Sequence, residues 1–273
     1  MMINFKVDQE TCISCGLCVE DCPQNCIEMK KIPVLAQPQA CIACQHCLAI
    51  CPVGAISIFG LDPKNSTELI GSLPDLKSMT ALVQGRRSYR HYEGRNVEPS
   101  LIYDLINTVV YAPTGCNAQQ VLFTVIKEKE KLADFREWLI AELAKVYQLP
   151  EYQKLPGARF MHAVVDSWRN NKEDILFRSA PHVMITSAPP TAPCAREDGV
   201  LALSYFELLS QSAGLGTVWD GIVYLTMQYF VPHAKEYLGI PNDHVLGYAM
   251  AFGYPTVKYP RAVQRKPIKI NYV

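Results

Sequence analysis

The sequence predicts a two-part chain of the α+β class, a small cysteine-rich module followed by a larger mixed domain of helices and strands. Three observations carry that expectation. Nine of the eleven cysteines fall before residue 52, in two matching runs. Beyond them, short apolar stretches of strand length alternate with long segments of helical periodicity. No G-x-G-x-x-G follows a strand, which argues against a doubly wound dinucleotide-binding sheet. The 273 residues leave room for domains of about sixty and about two hundred residues, both ordinary sizes.

The first run is Cys12, Cys15, Cys18 and Cys22 with Pro23 behind it; the second is Cys41, Cys44, Cys47 and Cys51 with Pro52 behind it. This C-x2-C-x2-C-x3-C-P spacing is the bacterial two-cluster ferredoxin pattern, in which each run gives three thiolates to one [4Fe–4S] cube and its fourth to the other. By that rule Cys12, Cys15, Cys18 and Cys51 hold one cluster, and Cys41, Cys44, Cys47 and Cys22 hold the second. Three closely spaced cysteines wrap a tight loop around a cube face, and the proline then fixes the direction in which the chain leaves. The runs are offset by 29 residues throughout, and Ile27 and Ile56 match at the same offset, which makes an internal repeat. Cys26 breaks the repeat, because its counterpart is Ala55, and it is assigned to neither cluster. Zinc sites favour paired C-x2-C units rather than four-cysteine runs, and disulfides belong to a secreted context. The opening MMINFKVDQE has no apolar core of the signal-peptide kind, and no apolar run reaches membrane-span length, so a cytoplasmic protein is expected.

Basic and acidic residues balance at 26 each. Residues 1–60 carry three lysines against five carboxylates, and the remainder carries 23 basic against 21 acidic groups. Neither part has the basic surface of a nucleic-acid binder, so nucleic acid and membrane are both excluded as partners.

Taken in order, residues 1–60 form the cluster module, with short strands at Phe5–Val7 and Ile56–Phe59. Residues 61–80 read as a linker, rich in turn formers and weak in periodicity, and the second domain spans 81–273. A basic turn lies at Gly85–Arg90. Pro99 suits a helix start, and Leu101, Ile102, Leu105, Ile106, Val109 and Val110 share one helical face. Tyr111–Gln120 is a loop, Val121–Ile126 a buried strand, and 129–147 a long amphipathic helix. The stretch 148–180 is expected to be a mobile excursion containing helix. Val183–Ser187 is a strand, 198–213 an apolar helix stopped by Gly214, and Leu246–Phe252 a strand before a basic tail.

Four local matches make residues 81–273 resemble the nitroreductase-like flavoprotein family. They are Arg86-Arg87-Ser88-Tyr89-Arg90; Ala112-Pro113-Thr114-Gly115-Cys116-Asn117-Ala118-Gln119; Gly214-Leu215-Gly216-Thr217 leading to Asp220-Gly221; and Gly253-Tyr254-Pro255 leading to Arg265-Lys266-Pro267. With the cluster module in front, the chain resembles a ferredoxin–nitroreductase fusion. The resemblance implies a central, mostly antiparallel sheet flanked by helices, an intertwined homodimer, and FMN at the dimer interface. It assigns the flavin phosphate to Arg86, Arg87 and Ser88, with Arg265 arriving from the tail; arginine forks and a hydroxyl suit phosphate oxygens. It turns Arg90 to the pyrimidine end, where a fixed positive charge favours the reduced anionic flavin. Pro113, Thr114 and Asn117 orient the ring, and Asp220 and Gly221 lie near its N5 edge.

Each match also has a plainer reading. The arginine run can be a solvated turn, Asn117 a cap, and Asp220-Gly221 an ordinary turn. Trp219 and Tyr224 can pack in the core, and Cys116 can be a small buried hydrophobe. His162 and His182 receive no role, and no catalytic residue is assigned. The implied activity is reduction of a small electrophile, such as a nitroaromatic or quinone, by FMN fed from two internal [4Fe–4S] clusters and an external one-electron donor. Two alternatives stand beside it: a flavo-iron-sulfur protein passing electrons to a protein partner, and a flavin reduced by NAD(P)H that exports electrons through the clusters.

Overall fold

The structure, a computed structural model, describes residues 3–273. It comprises two compact units: Met1–Pro74 with Cys116–Ala118, and Asp75–Gly115 with Gln119–Val273. Among the described residues no helix is long and apolar enough to cross a membrane.

The first unit repeats in its backbone what the cysteines repeat in sequence. Strand β1 (Phe5–Val7) pairs antiparallel with β4 (Ile56–Ile58), and β2 (Ile27–Met29) pairs antiparallel with β3 (Pro33–Leu35). Between them lie two single-turn helices, α1 (Leu17–Glu20) and α2 (His46–Ala49), again 29 residues apart. The left-handed positions follow the same offset: Ser14, Gly16 and Asn25 in the first half, Ala43, Gln45 and Gly54 in the second. Each cysteine loop therefore needs three reversals of backbone hand, and four of the six are held by residues with a Cβ. Cys18, Cys26, Ile27, Cys47, Leu48, Ile56 and Ile58 form the core.

The second unit opens with α3 (Leu76–Gly85), which begins inside the stretch read as linker. Asp75 caps it by accepting the Ser78 N–H at 2.8 Å. None of its side chains is buried, which is why its periodicity was weak. Helix α4 (Pro99–Val109) starts at its proline as expected and buries Ile102, Leu105 and Val109. Then come β5 (Leu122–Ile126), α5 (Lys129–Val146) and α6 (Ala158–Asn171). Helix α6 buries Ala158, Met161, Val164, Val165 and Trp168 in the main core, so 148–180 is integral to the domain rather than an excursion. Next are β6 (His182–Ala188) and α7 (Ala195–Ser212), followed by Gly214 at φ 77° as the helix stop.

Strand β7 (Gly216–Trp219) and helix α8 (Gly221–Leu225) follow, and a π-helical turn, Thr226–Phe230, continues α8. The short helix α9 (Ala234–Tyr237) precedes β8 (Val245–Gly253). The sheet order is β5-β6-β8-β7, every neighbouring pair antiparallel, as the fold class requires.

All seven residues of β6 are buried, because helices cover both faces. Val183 and Ile185 point into the layer made with α5 and α6, while Met184 points to that made with α4 and α7. On the second side the approach is close. A Cβ on Gly247 would stand 2.9 Å from Gly199 Cα and 2.6 Å from Thr186 Oγ1, so the pair of glycines sets how near α7 lies to β8. His182, fully buried, accepts the Val97 N–H at 2.8 Å through Nε2, and its other ring nitrogen faces Ile126 O at 3.3 Å. Burial holds it below the usual histidine range, as a neutral core residue. His162 is half-buried, with Nε2 3.0 Å from Gln153 Oε1.

Candidate functional site

In the first unit, one cavity is lined by Cys12, Cys15, Cys18 and Cys51, together with Ile13, Gly16, Leu17, Pro33, Val53 and Ile56. Three of these thiols come from one run and the fourth from the other, and apolar side chains line the rest of the cavity. Cys18 and Cys47 are buried, and burial pushes both thiols up, Cys47 to about 11. Desolvation, and after it the charges of Cys22, Cys41 and Cys44, push Cys26 to about 11, so thiols of both runs act on it. Burial therefore favours the neutral thiols, and ionising them calls for a cation nearby.

The fourth cysteine of each run also accepts a backbone N–H: Cys26 N donates to Cys22 Sγ and Ala55 N to Cys51 Sγ, each at 3.2 Å. These donors are 29 residues apart. Cys26 therefore contributes its backbone, as Ala55 does, while its own sulfur is buried.

In the second unit the arginine turn is tied to the sheet. Ser88 forms a parallel bridge with Thr217, and Tyr89 N donates to Thr217 O at 2.9 Å. Gly216 permits this: a Cβ there would fall 2.6 Å from Tyr89 Cγ. Arg86 Nη1 donates to Glu207 at 3.1 Å as a salt bridge. Arg87 reaches the Arg86 carbonyl, and its Nε is buried without a partner. Arg90, exposed, donates to Ser88 O at 3.2 Å.

Strand β7 then runs directly to Asp220 and Gly221. Asp220 Oδ1 accepts the Val223 N–H at 3.0 Å and caps α8, while Oδ2 is buried without a donor. Burial raises its carboxyl to about 8. A Cβ on Gly221 would lie 2.8 Å from the Tyr248 hydroxyl. Tyr224 stacks on Tyr248 with centroids 4.8 Å apart, and Trp219 meets Tyr248 edge-on.

The other candidates lie elsewhere. Gly115 N donates to buried Asp198 in the first turn of α7 at 2.9 Å, which fixes the Pro113-Thr114 loop, and Thr114 Oγ1 accepts from Gln119 N at 3.0 Å. Asp198 and Glu207 are nine residues apart on α7, roughly 13 Å of helix. Within one chain the Pro113-Thr114 loop and the arginine turn are thus anchored at separate points of that helix. Asn117, at φ 54°, belongs to the first unit, where its side-chain amide donates to Ile42 O at 2.9 Å. Cys116 is exposed at φ 52°, not a buried hydrophobe. Arg265 is exposed in a tail without regular structure.

Sequence reasoning missed Glu207 and Asp198. Glu207 accepts from Arg86, from Trp219 Nε1 at 3.0 Å and from the Thr217 hydroxyl at 3.5 Å. Its signal was a carboxylate directly after Phe206 on the buried face of an apolar helix, where a charge persists only with partners.

Residues 83–254 match the nitroreductase family, and residues 11–55 match the 4Fe-4S dicluster domain. A stretch of 193 residues is 26% identical to the iodotyrosine deiodinase of Thermotoga neapolitana, covering 68% of this chain and 95% of that protein. The fold is similar to that of a nitroreductase with bound FMN from Bacteroides fragilis, at TM-score 0.56 and 21% identity over 71% of this chain and 97% of that one. It is likewise similar to a nitroreductase with bound FMN from Desulfitobacterium hafniense, at TM-score 0.55 and 22% identity over 73% and 100%. The larger match spans well over half of the residues, and the chain therefore belongs to the nitroreductase family and carries a 4Fe-4S dicluster domain ahead of that fold.

Proposed function

We propose that this chain is an FMN-dependent oxidoreductase fed by its own two [4Fe–4S] clusters, reducing a small electrophile such as a nitroaromatic or quinone. The observation that carries the reading is the joining of a crossed four-thiol site, Cys12, Cys15, Cys18 and Cys51, to a nitroreductase unit in one chain. Cys41, Cys44, Cys47 and Cys22 hold the second cluster. Electrons enter singly at the clusters, and FMN supplies the chemistry that gathers them into pairs.

This chain's own residues bind and orient. Arg87, with an unpartnered buried Nε, and Ser88 take the phosphate; Arg86 adds charge that Glu207 partly offsets, and Arg265 comes from the tail. Arg90 faces the pyrimidine end, and Asp220 and Gly221 the N5 edge. Pro113 and Thr114 complete the site. The separate anchoring of the two loops on α7 supports a site completed by a second copy, hence a homodimer.

Anaerobically purified protein should contain about eight irons and one FMN per chain. In a Cys12→Ser, Cys41→Ser variant, stopped-flow reduction of the flavin by a one-electron donor should slow sharply. If NAD(P)H reduces that variant's flavin as fast as the wild type's, electrons flow outward through the clusters and the inward direction fails. Turnover of neither nitroaromatics nor quinones by the fully loaded, reduced protein would favour delivery to a protein partner.

A further inference from the structure

The two halves of the cysteine module match in backbone but not in surface. Among the described residues up to Gly60, the large apolar side chains that stand exposed are Ile13, Leu17, Met29 and Val53. Three of them, Ile13, Leu17 and Val53, line the cavity that Cys12, Cys15, Cys18 and Cys51 share. Ile13 is 62% exposed, and Cys15 is itself open to solvent. Apolar groups gathered in this way around one feature mark a surface that a partner covers.

The 29-residue offset carries Ile13 to Ile42 and Leu17 to His46, and Val53 back to Gln24. Ile42 is half-buried, and its carbonyl accepts the Asn117 amide at 2.9 Å. His46 is exposed but paired with Asp21 at 3.2 Å, and Gln24 is polar. Cys44, the counterpart of Cys15, is half-buried. The apolar opening onto a cysteine thus belongs to the first site and not to the second. Charge says what fits it. Between Lys6 and Lys30 the chain carries Asp8, Glu10, Glu20, Asp21 and Glu28 and no lysine or arginine, and all five carboxylates are exposed. Lys31 meets the first loop through its carbonyl, which accepts the Ser14 hydroxyl at 3.2 Å. An apolar centre with an acidic surround complements a partner whose redox group opens in an apolar patch rimmed by lysine or arginine.

We propose that the Ile13–Leu17 loop, with Val53, is the docking face for a basic one-electron carrier protein, so that electrons enter at the first cluster and not at the second. This rests on the reading of Cys12, Cys15, Cys18 and Cys51 as that cluster's ligands. The step moves one electron from the reduced carrier to the oxidised cluster, and no bond forms or breaks. The carrier's apolar patch covers Ile13, Leu17 and Val53. Its cations meet the carboxylates, which speeds encounter and makes it sensitive to salt.

The test uses the full chain, purified anaerobically, with iron and flavin measured first. The probe is cytochrome c, whose haem edge opens among lysines. An electron crosses the same contact in either direction, so ferric cytochrome c is mixed with prereduced protein and recovery of the cluster absorbance is followed. Ile13→Gln removes the apolar centre, and Ser14→Lys sets a cation in the face. Ala43→Lys makes the same charge change at the counterpart of Ser14, where the backbone is left-handed as well. The wild-type second-order rate should fall at least about fivefold as ionic strength rises from about 0.01 to about 0.3 M. At low salt Ile13→Gln and Ser14→Lys should each slow it at least about threefold, and Ala43→Lys should change it less than about 1.5-fold. Reduction by dithionite, which needs no docking, should not slow in any variant.

An effect of Ala43→Lys as large as that of Ser14→Lys would place the contact elsewhere and overturn the proposal. Equal slowing of dithionite reduction would show damage to the cluster rather than to docking, with the same result. A dimer that Ile13→Gln splits in sedimentation would give the face to a second copy, which also overturns it. Iron well below about eight per chain would sink the cluster reading and this proposal with it. Protein with full iron but no flavin would sink the FMN reading alone, because the readout is the cluster absorbance.

Discussion

Replacing Glu207 with alanine removes one acceptor from three donors at once: Arg86, Trp219 and Thr217. The Glu207 side chain is 8% exposed and that of Arg86 28%. Removing one partner from a fully enclosed ion pair costs about 3–5 kcal/mol. Arg86 can regain water through its exposed fraction, so its share is about 1 kcal/mol. The Trp219 N–H loses a charged acceptor, worth about 1.5–3 kcal/mol. The threonine hydroxyl can rotate to another partner. The total is about 3 kcal/mol, which for a unit of this size lowers the unfolding midpoint by roughly 6–12 °C.

Glu207→Gln keeps a carbonyl oxygen for Trp219 and should lose only about 1 kcal/mol. The assay is thermal unfolding followed by tryptophan fluorescence. Trp138, Trp168 and Trp219 all lie in the second unit, so the signal does not mix the two. An alanine variant melting within about 2 °C of wild type, or a glutamine variant as damaged as alanine, would refute the view of Glu207 as the buried anchor of the arginine turn.

Three further outcomes are expected. Cys51→Ser, a change in the second run, should empty the site of the first run's three cysteines and cut iron from about eight to about four per chain by colorimetric assay. Gly247→Ala should cost about 2–3 kcal/mol in denaturant unfolding, because the new methyl meets the Thr186 hydroxyl and, behind it, the Gly199 backbone, which cannot turn aside. His182 has a folded-state value below its unfolded value of about 6.5, so its contribution is complete above that pH and lost as pH falls through the folded value. Wild type should therefore lose more stability than His182→Gln between pH 7 and pH 5, measured by urea midpoints.

The cysteine module was readable almost residue by residue, because cluster chemistry fixes both the ligand type and the spacing, and the 29-residue offset reappears in left-handed backbone positions such as Gly16 and Gln45. In the larger unit the long periodic elements α4, α5 and α7 were legible within a few residues. Helix α3 was not, since it buries nothing and periodicity has nothing to report. Strand β7 escaped because its four residues begin with a glycine demanded by Tyr89, a contact no local pattern encodes. For the same reason the arginine turn could be recognised as a motif while its anchor, 121 residues further along, could not.

The bridge between Ser88 and Thr217 also bears on self-association. Strand β7 is an outer strand of the four, and unpaired outer strands invite other chains to add on. The segment around Ser88 and Tyr89 occupies part of that edge. A fragment starting beyond Arg90 would leave the edge open and should be less soluble than the parent. One short stretch thereby guards a strand edge against misassembly, so conditions that loosen it threaten solubility.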